Sequence, residues 1–508
     1  MMWILLAVLG MVGFVPVFAE TAINDDNLVL EVYVAKIPEN PTSMTFVGDD
    51  ILVLQRYNGQ VRLVRDGVFQ DKPVLDVAVA KDGERGMLGI TSVGPAVYVY
   101  FTASDVDGGK AIENRIYRYQ WNGEEMTDPV LLKTLPSDNY YHNGGAMTNF
   151  DGQVYAVIGD NGNYGRLQNR ATDWINDTSV ILRVDPPGPY YAMGIRNSFG
   201  LAVDPFTGNL WDTENGDDDN DEINLVPENF NSGWIEIMGP AKNQSQIDSL
   251  PKYGNFVYSD PEFTWEKPIA PTAISFVKSD MLQDYQDSVF VGDCNTGNLY
   301  RFKLDSDRTG FVFESPELSD KVLNIDEPMD EIIFGTGFGC LTDIEVGPDG
   351  FIYIVSLSEE RIYRIIPKAA AEEMAVDGTT SVESKGGCLI ATAAYGTEMA
   401  QSVQLLREVR DDVYGTESGA AFMSSFNDAY YAFSPTVSDW ERQNPVFRDA
   451  VKIAITPLLS TLLILNHVEI DSEAQMIGYG IGIILLNVGF YFVIPAVLAI
   501  KVKSLFKR

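Results

Sequence analysis

A loosely repeated unit of roughly 40–60 residues constrains the fold of this chain more than any other feature. Each copy is an apolar strand, a turn with Pro or Asp before Gly, a second apolar strand, a loop, and a strand with basic or aromatic residues. Four copies are SMTFVGDDILVLQRYNGQVRLV, GLAVDPFTGNLWDTENG with DEINLV, AISFVKSD with SVFVGDCNTGNLYRFKL, and TDIEVGPDGFIYIVSLSEERIYRII. About six copies fit between residues 30 and 366, so we expect an all-β, six-bladed β-propeller.

Short strands and tight turns over the same residues support this prediction. Strands are predicted at Ile51–Gln55, Val61–Val64, Val97–Phe101, Arg115–Gln120, Val154–Ile158, Ser288–Val291 and Phe351–Val355. Turns such as Asn58-Gly59 and Asp349-Gly350 separate them, and no long amphipathic helix interrupts the pattern. Loops at one end of a propeller converge on its axis, so residues far apart in sequence can share one pocket.

The charge balance excludes one class of partner. The 508 residues include 72 acidic and 36 basic side chains, a formal net charge of −36. Nothing in such a chain would neutralise phosphates, which argues against nucleic acid. The three cysteines, Cys294, Cys340 and Cys388, do not make a disulfide scaffold.

The chain has only two histidines, and one of them is a candidate general base. His467 lies in an apolar tail segment, whereas His142 follows two tyrosines and precedes two glycines. Imidazole titrates near neutrality, which suits proton transfer. A half-buried loop histidine without chemistry is the alternative interpretation.

Both ends of the chain carry apolar segments. Residues 1–19 resemble a signal peptide, although the missing basic n-region leaves an uncleaved anchor open. Residues 476–500 carry no charge and predict a transmembrane helix, with the basic tail cytoplasmic. Residues 453–465 are short for a span, and we expect them to be interfacial or re-entrant. These features predict a membrane-anchored propeller on the extracytoplasmic side.

Several motifs in order give the chain a family resemblance. They are ERGMLGI (84–90), HNGG (142–145), VIGD (157–160), GIRNSFGLAVDP (194–205), TENG with DEIN (213–224), APTA (270–273) and PDGFIYIV (348–355). Together they resemble the soluble quinoprotein glucose dehydrogenases of the glucose/sorbosone dehydrogenase family. The resemblance implies a six-bladed propeller that holds pyrroloquinoline quinone (PQQ) with calcium and oxidises aldose sugars.

The resemblance also assigns roles to individual residues. His142 matches the base that takes the proton of the sugar's anomeric hydroxyl, and Asp160 matches the acid that orients it. Arg196 and Asn197 match the pair beside the quinone oxygens, where a cation stabilises developing charge. An oxidation at this site needs an onward electron acceptor, which the sequence does not identify.

Further cofactor and metal contacts follow from the same alignment. The backbone carbonyls of Gly216 and Asp217 match the calcium ligands, and oxygen ligands suit that ion. A solvated acidic turn is the alternative there. Glu84 takes the place of a family glutamine at the pocket, and Trp265 is the expected pocket tryptophan.

The chain departs from the family at the cofactor clamp, which is the set of Lys and Arg residues that bind the carboxylates of PQQ. Asn295 stands where a cofactor lysine is expected, and Cys340 and Thr342 stand near two expected arginines. PQQ carries three carboxylates, and each lost charge-assisted hydrogen bond is worth about 1.5–3 kcal/mol. PQQ is therefore expected to bind differently and more weakly, or the pocket has another ligand. The alignment also places Cys294 and Cys340 at the pocket, where we hypothesise a disulfide; two unpaired buried cysteines are the alternative.

A second module follows a linker predicted at residues 367–385. Residues 386–448 begin with GGCLIATAAYGT and resemble the C-terminal "CFI-box" domain, with Leu389 in place of the usual Phe. The resemblance implies a small helical module but carries no biochemical role.

Two functions remain open at this point. The first is a membrane-anchored, PQQ-dependent dehydrogenase acting on a small-molecule sugar, with His142 as base. The second is a cell-surface propeller that binds carbohydrate or protein without redox chemistry, because the cofactor-clamping Lys and Arg residues are missing.

Overall fold

The structure is a computed structural model that describes residues 21–162, 169 and 177–377. It also describes helical positions at 440, 447, 448, 451, 452, 455, 461, 478, 479, 482, 483, 486 and 487. Two compact units divide the chain between Glu373 and Met374. All described strands belong to the first unit.

The first ten strands include two at the N-terminus and two consecutive antiparallel meanders. The N-terminal strands are β1 (Ala22–Ile23) and β2 (Leu28–Val34). The first meander is β3 (Pro41–Val47), β4 (Asp50–Gln55), β5 (Gln60–Arg65) and β6 (Val68–Asp76). The second is β7 (Met87–Val93), β8 (Ala96–Ala103), β9 (Glu113–Trp121) and β10 (Met126–Leu135).

The middle of the unit contains ten strands and one short helix. The first seven strands are β11 (Met147–Phe150), β12 (Gln153–Ile158), β13 (Val180–Asp185), β14 (Ala192–Met193), β15 (Ser198–Val203), β16 (Leu210–Glu214) and β17 (Asp221–Val226). They are followed by β18 (Phe230–Asn231), helix α1 (Gln244–Asp248), β19 (Val257–Tyr258) and β20 (Phe263–Trp265).

The last part of the unit contains eight strands and a terminal helix. They are β21 (Pro271–Phe276), β22 (Ser288–Asp293), β23 (Leu299–Lys303), β24 (Val322–Leu323), β25 (Ile333–Thr336), β26 (Leu341–Val346), β27 (Ile352–Ser356), β28 (Arg361–Pro367) and helix α2 (Lys368–Asp377). Single 3₁₀ turns lie at Gln283–Tyr285 and Pro316–Leu318.

These strands form six sheets, which is the number of blades that the sequence repeat predicts. Their strand orders are β3-β4-β5-β6, β7-β8-β9-β10, β11-β12-β13-β14-β18-β19, β15-β16-β17-β20-β24, β21-β22-β23-β25-β1 and β26-β27-β28-β2. The first strand of each sheet contacts the first strand of the next in the cyclic order β3, β7, β11, β15, β21, β26 and back to β3. The sheets therefore close into a ring, and the unit is a β-propeller.

The ring is closed by the two ends of the unit. Strand β2 pairs antiparallel with β28, with Leu28 opposite Pro367 and Val29 opposite Ile366. Strand β1 adds to the preceding sheet by pairing with β25. Each of the last two sheets thus contains a strand from the start of the chain, so neither can be completed by local sequence alone.

The inner strands are buried on both faces because each sheet packs between two neighbours, whereas outer strands such as β6 and β10 are largely exposed. All six residues of β22 and all five of β16 are buried. The largest apolar cluster lies between the sheets that contain β16 and β23 and includes Trp211, Phe263 and Phe302. The rings of Phe263 and Phe302 are 4.8 Å apart between centroids, as in a close-packed core. This packing explains why the strands read as apolar runs rather than as clean alternation.

Helix α2 differs from the sequence prediction. We expected a linker from residue 367, but Lys368–Asp377 form a helix that directly continues β28. Its sequence, KAAAEEMAVD, is rich in alanine and glutamate, which favour helix. The small and acidic residues that suggested a linker at this point instead form a short helix.

The remaining predictions for the chain ends lie outside the described residues. These are the signal peptide at 1–19, the CFI-box-like module at 386–448, and most of the apolar segments at 453–465 and 476–500. Within the described residues, no helix combines the length and apolarity that a membrane span needs. In the second unit, the Asn487 side chain donates to the Thr461 hydroxyl (2.8 Å).

Candidate active site

The topology brings the sequence-predicted site residues to one end of the ring. Glu84, His142 and Arg196 each lie in the loop before the first strand of a sheet. Asp160 and Gly216 each lie between the second and third strands of a sheet. In an antiparallel meander these two kinds of loop share an edge. Backbone hydrogen bonds join neighbouring sheets at this edge, for example from Asp160 N to Arg196 O (2.8 Å).

The core of the site is a histidine held by a buried carboxylate. His142 Nδ1 lies 2.6 Å from Asp160 Oδ1, and the Asp160 side chain is fully buried. Asp160 Oδ2 accepts a second hydrogen bond from Trp234 Nε1 (2.6 Å). A carboxylate at Nδ1 fixes the tautomer that carries its proton there, which leaves Nε2 as the basic nitrogen. The arrangement predicted from HNGG and VIGD is therefore present.

The backbone around the histidine is tightly constrained. His142 has a φ of 60°, in the left-handed region that side chains other than glycine rarely adopt. A Cβ atom at Gly159 would lie 2.5 Å from Arg196 O and 2.7 Å from His142 O. Only glycine lets the three loops approach so closely. Gly159 thus allows the backbones at His142 and Arg196 to lie close to each other.

Arg196 is the main cation at the site among the described residues. Its Nη1 donates to the carbonyls of Asn215 (2.9 Å) and Gly216 (2.5 Å), and its Nη2 donates to Asp217 Oδ1 (2.8 Å). The guanidinium also lies over the Trp234 ring, 5.2 Å from its centroid. Its Nε is buried and has no hydrogen-bond partner in the structure.

Asn197 contributes a second unpaired atom beside Arg196. The Asn197 side chain is 4% exposed, and its Oδ1 has no hydrogen-bond partner in the structure. Its Nδ2 is directed at the Glu84 carboxyl group, 3.4 Å from Oε1. An unpaired buried donor on Arg196 and an unpaired buried acceptor on Asn197 are costly unless a ligand pairs with them. These two atoms lie beside His142 and Asp160, which makes this end of the ring a candidate ligand site.

Glu84 is a second acid next to the histidine. Its Oε2 accepts a hydrogen bond from the His142 backbone N–H (2.5 Å). Burial raises the pKa of Glu84, and the hydrogen bonds and the nearby imidazole offset part of that rise. The position expected to bind cofactor as glutamine therefore holds a group that can carry a proton.

The predicted calcium position is occupied by hydrogen bonds to Arg196. The Gly216 carbonyl, one of the two expected ligands, accepts from the guanidinium, and the Asp217 carboxylate pairs with the same group. Among the described residues, no group of three or more His, Cys, Asp or Glu side chains is arranged to hold a metal ion. Calcium binding by the backbone carbonyls of Gly216 and Asp217 stays a prediction, and it would require the ion to compete with Arg196 for the Gly216 oxygen.

A buried aspartate, Asp221, holds the backbone of the same loop through hydrogen bonds. Asp221 Oδ1 accepts from Gly216 N (2.8 Å), and its Oδ2 accepts from Ile269 N (2.6 Å) and Ala270 N (2.7 Å). The Asp-rich run 217–221 thus contains a structural carboxylate as well as exposed ones.

The cysteine pair lies at the same end of the ring and is bonded. Cys294 and Cys340 form a disulfide with Cα atoms 3.7 Å apart, which confirms the hypothesis drawn from the alignment. It joins the loop between β22 and β23 to the loop before β26. Asn295, the expected cofactor contact, is exposed in the first of these loops.

The cofactor clamp therefore fits PQQ only in part. Arg196, Asn197 and His142 fit a quinone ring, because they offer a cation and unpaired polar atoms. The positions of the expected carboxylate-binding cations hold Asn295, a disulfide, and Thr342, whose hydroxyl donates to Pro41 O (3.3 Å). These groups do not neutralise three carboxylates.

One expected pocket residue is elsewhere, and another tryptophan takes its place. Trp265 is 1% exposed in the apolar cluster and packs against Tyr300, with ring centroids 5.3 Å apart. Its ring also packs against Phe263 in the core, with ring centroids 4.9 Å apart. The tryptophan at the site is Trp234, which binds Asp160 and lies beneath Arg196. Its only sequence signal is a tryptophan in a glycine-containing loop, NSGWIE, which does not distinguish it from Trp265.

Comparison with known proteins agrees with the resemblance. A family model for glucose/sorbosone dehydrogenases matches residues 38–364. An aldose sugar dehydrogenase of Escherichia coli is 24% identical over 343 residues, which cover 63% of this chain and 87% of the relative. A quinoprotein glucose dehydrogenase B of Acinetobacter calcoaceticus is 28% identical over 212 residues, 34% of this chain and 44% of the relative.

Solved structures show the same fold at low identity. A putative oxidoreductase (glucose dehydrogenase) of Thermus thermophilus aligns with a TM-score of 0.54 at 24% identity, covering 67% of this chain and all of the other. A PQQ-bound aldose sugar dehydrogenase of Streptomyces coelicolor aligns with a TM-score of 0.51 at 23% identity, covering 68% and 99%. Because the family model spans well over half of the sequence, the chain belongs to the glucose/sorbosone dehydrogenase family.

Proposed function

We propose that this protein is an extracytoplasmic, membrane-anchored dehydrogenase that oxidises the reducing carbon of an aldose sugar. The observation that carries the proposal is the His142–Asp160 pair, 2.6 Å apart, beside the unpaired Arg196 Nε and Asn197 Oδ1. Buried polar atoms are usually hydrogen-bonded, so an unpaired donor and an unpaired acceptor next to this pair support a ligand site there.

The proton chemistry follows from the geometry around His142. With its Nδ1 proton held by Asp160, Nε2 accepts the proton of the sugar's C1 hydroxyl. Asp160 then stabilises the imidazolium, as a buried carboxylate does for a neighbouring cation. A quinone cofactor of the kind that the family uses would, if bound here, supply the hydride acceptor. Arg196 contributes positive charge where negative charge develops on the bound ligand.

Cofactor affinity is the weak point of this proposal. The acidic side chain of Glu84 and the uncharged residues at 295, 340 and 342 disfavour a tricarboxylate. We therefore expect PQQ to bind more weakly here than a fully clamped cofactor would. Replacing Glu84 by glutamine removes one negative charge while keeping an acceptor for His142 N–H. It is expected to tighten PQQ binding.

The location rests on the sequence and on the disulfide. A signal-peptide-like N-terminus and an uncharged segment at 476–500 favour export and anchoring. Disulfides persist mainly in oxidising compartments, so the Cys294–Cys340 bond supports an extracytoplasmic propeller. The basic tail, KVKSLFKR, is then cytoplasmic.

The first test is turnover and cofactor binding by the full-length protein. Dye-linked oxidation of aldoses is measured with added PQQ, with and without calcium, and PQQ binding is measured by calorimetry. His142→Ala is expected to lower kcat by about 10²–10⁴-fold, the usual contribution of a general base, with little change in PQQ affinity. Arg196→Ala is expected to weaken PQQ binding itself. His467→Ala, at the other histidine of the chain, is the matched control and should leave turnover unchanged.

A binding module without redox chemistry is the second candidate, and the missing cations at 295, 340 and 342 favour it. Under that alternative, PQQ fails to bind at high micromolar concentration and no aldose is oxidised, while sugars still bind. That result would retire the dehydrogenase proposal.

A further inference from the structure

Two exposed tyrosines stand directly beside the candidate base. Tyr140 is 54% exposed and Tyr141 is 55% exposed, in the loop that leads into His142. Consecutive Cα atoms are about 3.8 Å apart, so both lie within about 8 Å of the His142 Cα. In the propeller unit, Phe150 (39% exposed) and Phe206 (45%) are the other clearly exposed aromatic side chains among the described residues. Phe150 ends β11 and Phe206 lies in the turn after β15, both at the opposite edge of their sheets.

The loop that carries Tyr140 and Tyr141 is held in place by contacts with neighbouring residues. Tyr140 O accepts a hydrogen bond from Glu84 N (2.9 Å), and a Cβ at Gly83 would lie 2.6 Å from the same oxygen. The Arg85 guanidinium lies 4.9 Å from the Tyr140 ring centroid and donates to Ser137 O (2.6 Å). Tyr141 N donates to Asn139 Oδ1 (3.2 Å). The backbone of both tyrosines and the ring of Tyr140 are thus held in place, which lowers the entropy lost on binding.

The chemistry of these rings selects a class of ligand. Tyrosine offers a flat apolar face and a hydroxyl at its edge, so it binds amphipathic partners at low entropic cost. A pyranose ring has the matching form, with an apolar C–H face and hydroxyls around its rim. The net charge of −36 disfavours anionic glycans. An uncharged sugar ring is therefore the ligand that fits a pair of exposed tyrosines on this protein.

We infer that Tyr140 and Tyr141 form a binding platform for the second and third rings of an uncharged oligosaccharide whose reducing end lies at His142. The inference rests on the proposed function, because it places the reacting unit at the same base. It adds that the substrate is a glycan chain and that these two side chains set the preference for length. The platform touches sugar rings beyond the reacting carbon, so it contributes to affinity and not to the chemical step.

The test compares sugars of increasing length on matched variants of the full-length protein. Binding of glucose and of the malto- and cello-oligosaccharide series, from two to five units, is measured by calorimetry without cofactor. In at least one series, Kd is expected to fall about tenfold or more between one unit and three units. Tyr140→Ala with Tyr141→Ala should remove that gain while leaving glucose binding unchanged, and Tyr140→Phe with Tyr141→Phe should keep most of it.

Phe206→Ala is the matched control. Phe206 is 45% exposed and lies under Arg308, 4.6 Å from guanidinium carbon to ring centroid, at the opposite edge. It should leave the dependence on length intact. Equal Kd values at all lengths, or a length dependence that survives both alanine changes, would overturn the platform even if glucose is oxidised. Absence of any sugar binding or oxidation would overturn the proposed function as well.

Discussion

Glu214 shows how a single buried residue makes the site sensitive to pH. Its Oε1 accepts from Arg196 N (2.6 Å), and its Oε2 accepts from the Ser232 hydroxyl (2.5 Å). Burial raises the pKa of Glu214 to about 7, although these hydrogen bonds oppose the rise. Glu222 lies opposite it on β17, and burial also raises the pKa of Glu222. The backbone of the key arginine thus rests on a carboxyl group that holds its proton up to neutral pH.

We predict that Glu214→Gln changes how stability depends on pH. The folded pKa is above the ordinary value of 4.5, so the stabilising contribution is complete below about pH 4.5 and is lost as pH rises through about 7. That loss is about 3 kcal/mol at most. The glutamine variant lacks it, so its free energy of unfolding relative to the wild type should increase from pH 4.5 to 7.5. Urea denaturation at several pH values measures the difference, and parallel curves would contradict the prediction.

At the scale of elements, the disulfide joins two sheets at the active end of the ring. The loop after β22 packs directly on the loop before β26, since a Cβ at Gly297 would lie 2.8 Å from Gly339 N. Cys294 N also donates to Ala270 O (2.9 Å), next to the residues that Asp221 holds. The bond therefore supports the wall of the site opposite His142.

Removing this bond should lower stability measurably. The two cysteines are 46 residues apart in sequence, and closing a loop of that length stabilises a fold by about 4 kcal/mol in the chain-entropy account. A Cys294→Ser/Cys340→Ser variant is expected to lose about 2–4 kcal/mol in chemical denaturation. Reductant should destabilise the wild type and leave the variant unchanged. If reductant does not shift the unfolding transition of the wild type, the predicted stabilisation by the disulfide is wrong.

Many of the strands and most of the site residues could be predicted from the sequence, for identifiable physical reasons. The strands at 51–55, 97–101 and 154–158 were predictable because buried runs between Asx-Gly turns leave few other conformations. The His142–Asp160 pair was predictable because both residues lie in short motifs. Trp234 was missed, since a tryptophan in a loop and one in the core look alike until tertiary packing separates them. The hydrogen bonds from Arg196 to Gly216 depend on side-chain placement across two loops, which no local pattern encodes.

At the scale of the whole molecule, charge opposes compaction. With a net charge of −36, folding brings many negative charges closer together than they are in the unfolded chain. Their mutual repulsion destabilises the folded state. Ion pairs such as Arg308 with Asp204 (2.6 Å) offset only part of it. Dissolved salt should therefore act as a stabiliser of this protein.

We predict that the thermal midpoint at pH 7 rises as NaCl increases from 10 mM to 200 mM, because the Debye length shortens from about 30 Å to below 10 Å. Near pH 4 the effect should shrink, because many carboxyl groups are then protonated. Differential scanning fluorimetry over the two series provides the measurement. A midpoint at pH 7 that is flat or falls with salt would show that repulsion is not a significant term.

The pairing of β2 with β28 has a consequence for biosynthesis. Leu28–Val34 finds its partner only after residues 361–367 have been made. At about 5–20 residues per second, the ribosome takes roughly half a minute or so to supply that partner. During this interval an early, half-apolar segment has no partner strand, while the intervening sheets are still being made. The nascent chain is thus most exposed to mispairing at β2. Any factor that shields this strand would act before the last sheet is translated.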